Sequence, residues 1–179
     1  FGNWTNVTGD DSDWTRSTNG ATPSNNTGPQ GSDEGGDNGF VFTEATGGNT
    51  GDTFHLESNY LDAGTYSNLN VSFFWNMNGG NMGTLHLDVW DGSSWTTEWS
   101  QTTANGDVWM PENVDLSAYN SGTIKLRFRG VRGNGYRSDM AADTVRIYTA
   151  GGGDTTAPTV TAFSLPATST SPLSVTTFT

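Results

Sequence analysis

One short segment holds most of the positive charge of this chain. The sequence has 179 residues, with 7 Lys and Arg against 19 Asp and Glu and a net charge of −12. All but one of the basic residues lie between Lys125 and Arg146. Guanidinium groups bind sulfate or carboxylate groups through two parallel hydrogen bonds. The segment is therefore a candidate anion-binding site, although it also contains two acids, Asp139 and Asp143.

Three runs of alternating residues determine where these side chains point. Residues 68–79, 83–95 and 123–131 alternate apolar and polar side chains, which predicts strands with one buried face. If these strands are neighbours in one sheet, their outward residues combine aromatic rings, amides and guanidinium groups. Such a face suits sugars, since rings pack on pyranose C–H groups while Asn, Asp and His bond hydroxyls. The predicted ligand-binding residues on the strands are Asn76, His86, Asp88, Trp90, Lys125, Arg127 and Arg129, and the loop after them adds Arg132, Tyr136 and Arg137.

The same residues allow a plainer interpretation. The arginines could pair with the abundant acids across strands, and the aromatic rings could pack under loops, as is ordinary in sheets. Trp95 and Trp99, in the segment SSWTTEW, pose the same choice between packing and an exposed sugar platform on a loop. The residues alone leave both interpretations open.

Composition excludes several classes of function. The chain has no Cys, which rules out disulfides, thiolate metal sites and cysteine catalysis. No run approaches the ~18 apolar residues of a membrane span, and the negative charge disfavours nucleic acid. There are 2 His and no GxSxG or HExxH motif, so we predict that the chain is not an enzyme. Composition and the start at Phe1 lead us to expect a processed or excised module of a secreted bacterial protein.

The predicted fold class is all-β. Short alternating runs are separated by Gly, Asn and Asp, and no long run has the periodicity of a helix. The predicted strands are 39–45, 52–58, 68–79, 83–95, 123–131 and 144–150, after a loop-rich start at 1–38. Residues 1–148 read as one domain and residues 149–158 as a Gly/Thr/Pro linker. Residues 159–179 are too short for a core and resemble the truncated start of a bacterial Ig-like β-domain.

Eight segments, in order along the chain, resemble the MAM domain, named after meprin, A5 and the mu-type receptor phosphatase. They are SDWTR, TPSNNTGP, SDEGG, GFVFTEA, VSFFWNMNG, MGTLHLDVW, GDVWMPENVDL and RFRGVRGNGYRSDMAAD. The resemblance implies a jelly-roll-like antiparallel β-sandwich of two sheets. The sequence departs from the animal pattern in having no Cys and in having Thr144 where the family has a second acid.

The resemblance also implies a structural cation, because MAM domains often hold one between an early loop and the C-terminal acidic motif. By position, the implied ligands are Asp33 and Asp143, with Asp139 and Glu34 as alternates, and the predicted set is Asp33, Asp139 and Asp143. Calcium takes such oxygen ligands from carboxylates and backbone carbonyls. We therefore expect a structural Ca²⁺, with Na⁺ as the other candidate.

These observations predict a non-catalytic carbohydrate-binding module of a secreted bacterial polysaccharide-degrading enzyme. The concentration of Arg favours an anionic ligand, either a sulfated galactan of the porphyran or agar type or a uronic polysaccharide. The other expected partners are covalently linked neighbouring domains, with no nucleic acid and no membrane, and we expect a monomer. The alternative is an adhesion or protein-interaction module, as the animal MAM domains imply.

Overall fold

The computed structural model describes residues 2–31, 33–36 and 39–150. The strands are β1 Trp4–Asn6, β2 Trp14–Arg16, β3 Val41–Thr43, β4 Thr53–Ser58, β5 Leu61–Asp62, β6 Leu69–Asn76, β7 Thr84–Trp90, β8 Trp95–Gln101, β9 Met110–Asp115, β10 Thr123–Val131 and β11 Ala141–Thr149. Two 3₁₀ turns lie at Ala63–Thr65 and Ser117–Tyr119. In this part of the chain, no helix has the length and apolar character to cross a membrane.

The strands form two antiparallel sheets. The first, called the six-stranded sheet below, has the order β1-β4-β10-β7-β8, with β5 also paired to β10. The second, the five-stranded sheet, has the order β2-β3-β11-β6-β9. The prediction of an all-β sandwich of two antiparallel sheets is confirmed.

The core lies between the inner faces of the sheets. Phe128 of β10 is fully buried, and its ring contacts Trp4, Trp14 and Phe73 at centroid distances of 5.3, 6.2 and 5.1 Å. Phe73 belongs to the five-stranded sheet, so this cluster joins the two layers. Alternation in β10 places the polar residues between these apolar positions on the outer side.

The predicted strands are present, with β10 matching 123–131 and β11 beginning earlier than predicted, at Ala141. The loop-rich start contributes two short strands that the sequence did not predict. Asn6 clamps them together: its amide donates to Trp14 O at 2.9 Å and accepts from Trp14 N at 3.0 Å. β9 and the full length of β8 were also missed, because both are edge strands with little apolar alternation.

One assumption about strand neighbours is wrong. β6 lies in the five-stranded sheet, whereas β7 and β10 are paired in the six-stranded sheet. The outer faces of the two layers of a sandwich point in opposite directions. Asn76 of β6 is moreover fully buried and donates from Nδ2 to Asp107 Oδ1 at 3.2 Å. Asn76 is therefore not part of a common face with His86 and Arg127.

The end of the domain contains an irregularity. The pairing of β11 with β6 shifts register between Asp143 and Arg146, and Thr144 adopts a left-handed φ of 49°. This bulge interrupts the alternation of the strand, which explains why the sequence pattern placed its start too late. The linker predicted for residues 149–158 begins too early, because Thr149 is the last residue of β11. The rest of that linker beyond residue 150 and the predicted Ig-like start at 159–179 lie outside the described residues.

Candidate functional site

The outer surface of the six-stranded sheet gathers the predicted ligand-binding residues of β7 and β10. Strand register aligns them in three rows across β4, β10, β7 and β8. We call this set the basic face: Lys125–Trp90–Trp95 form the first row, Glu57–Arg127–Asp88–Thr97 the second, and His55–Arg129–His86 the third. The structure thus confirms that the predicted residues of β7 and β10 share one face.

Asp88 lies at the centre of the basic face and is only 1% exposed. Its Oδ2 accepts from Arg127 Nη2 at 2.8 Å and from Arg129 Nε at 2.7 Å. Its Oδ1 accepts from Arg129 Nη2 at 3.1 Å and from Thr97 Oγ1 at 2.7 Å. One carboxylate therefore holds two guanidinium groups side by side, as the plainer interpretation of the sequence proposed.

The electrostatics of Asp88 favour its charged form. Burial alone raises the pKa of a carboxyl group, but hydrogen bonds from Arg129, Thr97 and Arg127 outweigh that effect and hold the pKa of Asp88 below its usual value. A guanidinium carries five N–H donors, and these contacts leave donors on both arginines. The side chains of Arg127 and Arg129 stay 14% and 22% exposed. Asp88 therefore orients the two arginines without using all of their binding capacity.

Aromatic rings flank the arginines at one end of the basic face. The guanidinium of Arg127 lies 4.0 Å from the ring centroid of Trp95, which is a close cation–π contact. Trp95 also lies 5.7 Å from Trp90, its partner across β7 and β8. The half-buried rings of Trp90 and Trp95 thus adjoin a positive charge, which is an arrangement that can contact both the apolar and the anionic groups of a sugar.

Lys125 extends this end of the face. Its ammonium pairs with Glu57 and lies 5.4 Å from the ring centroid of Tyr60. The sequence analysis did not select His55, Glu57 or Tyr60. The alternation of His55 and Glu57 in β4 was a usable signal, but their pairing with β10 depends on strand order, which the sequence does not show.

The surroundings of the two histidines of the face disfavour their protonated forms. Burial lowers the pKa of His55 and of His86, and the neighbouring Arg127 and Arg129 lower it further. His55 Nε2 and His86 Nδ1 are buried and have no hydrogen-bond partner within the described residues. Within the three rows, three basic groups stand against two carboxylates, which is an excess of one positive charge, and the carboxylate of Asp10 adjoins the face beside His55.

The loop residues predicted to extend the site are not brought to the face. Arg132 is 8% exposed and donates from Nε to Ala45 O at 2.6 Å, so its role is to hold a loop. Tyr136 and Arg137 are exposed and contact each other, with Arg137 Nε donating to Tyr136 Oη at 3.0 Å. They follow the end of β10 at Val131, whereas Lys125 lies near the start of this strand.

Trp95 and Trp99 have different roles, although a regular strand would place residues four apart on one face. The pairing register of β7 and β8 shifts between Leu87 and Asp88, so that these two residues lie across from three residues of β8. Trp99 consequently turns inward, contacts Phe73 at 5.1 Å, and donates from Nε1 to Glu112 at 2.7 Å. Only Trp95 is a candidate platform, and it lies on a strand rather than on a loop.

The three predicted metal ligands separate into two places. Asp143 lies near Asp33, and its carboxylate accepts from Glu34 N at 3.0 Å and from Thr144 N at 2.6 Å. Burial raises the pKa of Asp143, and the charge of Asp33 raises it further, whereas the hydrogen bonds from these backbone donors lower it. Backbone N–H groups thus already satisfy the Asp143 carboxylate.

Asp139 has a different environment. It is fully buried, its Oδ1 accepts from Ala45 N at 2.8 Å, and its Oδ2 has no partner within the described residues. Burial raises the pKa of Asp139 to about 7, and the nearby charge of Glu44 contributes, whereas the Ala45 N–H, the charge of Arg132 and the Thr22 hydroxyl act in the opposite direction. A buried carboxylate oxygen without a donor fits the coordination of a hard cation.

Asp139 and Asp143 do not converge on one ion. Four steps of nearly extended chain place their Cα atoms about 13 Å apart, at ~3.3 Å per residue, whereas both carboxylates would have to lie within ~2.6 Å of a shared calcium ion. In the described ranges, no group of three or more His, Cys, Asp or Glu is suited to a metal ion. The predicted set of three ligands is therefore not one site, and the fit to a cation is better at Asp139.

Solved structures share this architecture. A cleaved adhesin domain of Lys-gingipain from Porphyromonas gingivalis superposes with a TM-score of 0.58 at 15% identity, covering 83% of this chain and 92% of that one. The family 11 carbohydrate-binding module of Clostridium thermocellum, solved with a β-1,3-1,4-mixed-linked tetrasaccharide, gives 0.51 at 12% identity, covering 83% and 89%. At these identities the likeness is one of fold.

Sequence comparison identifies the family. Human MAM domain-containing glycosylphosphatidylinositol anchor protein 1 is 40% identical over 80 residues, which are 43% of this chain and 8% of that protein. The matched region is thus a small part of this relative. The sequence profile of the MAM domain, meprin/A5/mu, matches residues 1–151. The chain therefore belongs to the MAM domain family.

Proposed function

We propose that this MAM domain is a non-catalytic carbohydrate-binding module whose ligand lies on the basic face. The observation that carries the proposal is the contact of Trp95 with Arg127, beside Trp90 and above Asp88. Aromatic rings offer a surface to the C–H groups of a pyranose, and the adjacent guanidinium offers donors to its substituents.

The ligand we propose is an anionic polysaccharide, either a sulfated galactan of the porphyran or agar type or a uronic polymer. A chain of net charge −12 repels polyanions unless a local positive region opposes that field. The basic face has three cations against two carboxylates, and both arginines retain free donors. A neutral glycan would not require this concentration of Arg.

The same geometry supports a role without catalysis. Glycoside hydrolysis commonly requires two carboxyl groups free to act as acid, base or nucleophile. The two carboxylates of the basic face, Glu57 and Asp88, are both held in ion pairs. We infer that the module serves a secreted bacterial polysaccharide-degrading enzyme by tethering it to its substrate, which raises the local concentration. An adhesion function is the alternative outcome of the test below.

Replacing Trp95 or Arg127 by alanine is expected to abolish most polysaccharide binding. Each change removes a central contact of the face, and loss of such an anchor typically weakens binding about thirtyfold. Affinity electrophoresis in gels containing porphyran, alginate or neutral agarose measures the effect. Retardation in the anionic gels is expected to decrease as salt is raised, since salt screens the charges.

The matched control is Arg146→Ala, which removes an exposed arginine from the five-stranded sheet. This variant should be retarded like the unchanged protein. Absence of retardation in every gel, together with dimerisation that depends on concentration, would replace the carbohydrate proposal by the adhesion alternative.

We further propose that Asp139 holds a structural calcium ion. The support is its buried Oδ2 without a donor, the pKa raised to about 7, and Glu44 close enough to contribute to that shift. When bound, the ion supplies positive charge to a carboxylate that burial otherwise destabilises. Asp139 would then tie the start of β11 to the loop at Ala45.

Calcium is expected to raise the melting temperature of protein first treated with a chelator. Binding to the folded state at a hundredfold excess over Kd stabilises by about 2.7 kcal/mol, or roughly 5–10 °C for a domain of this size. Asp139→Asn should remove the response, and Asp143→Asn should keep it, because backbone donors already satisfy Asp143. Equal melting temperatures of the unchanged protein with and without calcium would exclude this proposal.

A further inference from the structure

A groove of about 370 Å³ lies at the end of the sandwich where β5 joins β10. Leu61, Leu69 and Ile147 form its apolar lining, Tyr60, Tyr66 and Tyr148 add three aromatic rings, and Asp62 and Thr149 are its other polar residues. It therefore draws residues from both sheets, whereas the basic face belongs to the six-stranded sheet alone.

The three tyrosines are unusually accessible. Tyr60, Tyr66 and Tyr148 are 67%, 50% and 40% exposed. Tyr148 is nevertheless held in place, since its hydroxyl donates to Asn113 Oδ1 at 2.8 Å. A cluster of exposed aromatic rings around a concave surface is a feature of ligand sites rather than of an ordinary polar surface.

The groove is continuous with the basic face. The ammonium of Lys125 lies 5.4 Å from the centroid of Tyr60, so this ring lies between the two regions. Tyr60 also lines the adjoining depression of about 550 Å³, together with Glu57 and Lys125. A linear polymer that leaves the Trp90–Trp95 end of the face past Lys125 would next meet the tyrosines.

We propose that the tyrosine groove is a second binding region for the same polysaccharide and takes the sugar units that extend beyond Lys125. The proposal rests on the proposed function of the basic face. Tyrosine rings contact the C–H faces of pyranoses, and their hydroxyl groups exchange hydrogen bonds with sugar hydroxyls. No Lys or Arg is among the residues that line the groove, and Asp62 is its one carboxylate, so we expect it to bind the uncharged faces of the sugars through stacking rather than through charge.

Chain length provides the test. Calorimetric titration with a short and a long porphyran oligosaccharide, a tetrasaccharide and an octasaccharide, compares the face alone with the face plus the groove. We expect the long chain to bind roughly tenfold more tightly, as one additional aromatic contact region can supply. Tyr66→Ala should remove this advantage and leave the affinity for the short chain unchanged, and Tyr66→Phe should restore most of it.

Tyr136→Ala is the matched control, because Tyr136 is a comparably exposed tyrosine at the other end of β10. It should behave like the unchanged protein with both oligosaccharides. If the unchanged protein prefers the long chain and Tyr66→Ala keeps that preference, the groove proposal alone is overturned. If the unchanged protein binds neither oligosaccharide, the proposed function and the groove proposal fail together.

Discussion

Asp88→Ala is expected to lower the free energy of unfolding by about 3 kcal/mol, which is the lower end of the range for removing one partner of a buried ion pair. The carboxylate is 1% exposed and holds Arg127, Arg129 and Thr97. Its removal leaves two guanidinium groups that repel each other on a partly covered surface. The cost stays at the lower end because both arginines retain some contact with water. Urea unfolding followed by tryptophan fluorescence measures the change.

The same variant should also lose polysaccharide binding, because the arginines would no longer be held beside Trp95. Asp13→Ala removes an exposed aspartate and serves as the control, with an expected change within about 0.5 kcal/mol. If Asp88→Ala unfolds at the same urea concentration as the unchanged protein, the carboxylate does not organise the face. The ion pairs would then be surface contacts of small energy.

Gly83→Ala is expected to destabilise the domain by about 3 kcal/mol or more, beyond the usual range for overpacking. A Cβ at Gly83 would lie 1.8 Å from Val131 O, and backbone atoms cannot move away as a flexible side chain can. Gly83 N also shares the hydroxyl of buried Ser138 with Gly133 N, at 3.2 and 2.8 Å. The substitution would therefore push apart two chain segments that one side chain joins. Thermal unfolding by circular dichroism gives the shift.

Gly80→Ala is the control within the same loop. A Cβ at Gly80 meets nothing within 4 Å, and its φ lies outside the left-handed region. We expect a neutral or slightly stabilising effect of about 0.5 kcal/mol, since alanine reduces the freedom of the unfolded chain. Equal melting temperatures for the two variants would mean that the loop relaxes to accept the methyl group at Gly83. The close approach of backbone atoms there would then not determine the stability.

Alternation was sufficient to predict the strands that have one buried face. In β10, the inward Ile124, Leu126 and Phe128 and the outward Lys125, Arg127 and Arg129 follow directly from a period of two residues. β8 and β9 lie at sheet edges and bury little on either side, so their apolar signal is weak. Local pattern therefore identified the inner strands better than the edges.

The order of the strands could not be predicted from the sequence pattern, and this order determines which residues form the site. Asn76 has the residue type expected of a sugar ligand, yet its strand belongs to the other layer. His55 and Glu57 come to the site only because β4 pairs with β10. The same limit applies to Asp139 and Asp143. The distance between them depends on the extended conformation of the chain that joins them, which the sequence pattern did not predict.

The register shift opposite Leu87 and Asp88 has an evolutionary consequence. One additional residue in β8 decides that Trp95 faces the sheet surface while Trp99 enters the core. In such an edge strand, insertion or deletion of a single codon exchanges an interior aromatic for a surface one without any substitution. Related domains can therefore gain or lose an exposed tryptophan through changes in strand length, and alignments that penalise gaps in strands would overlook this route of divergence.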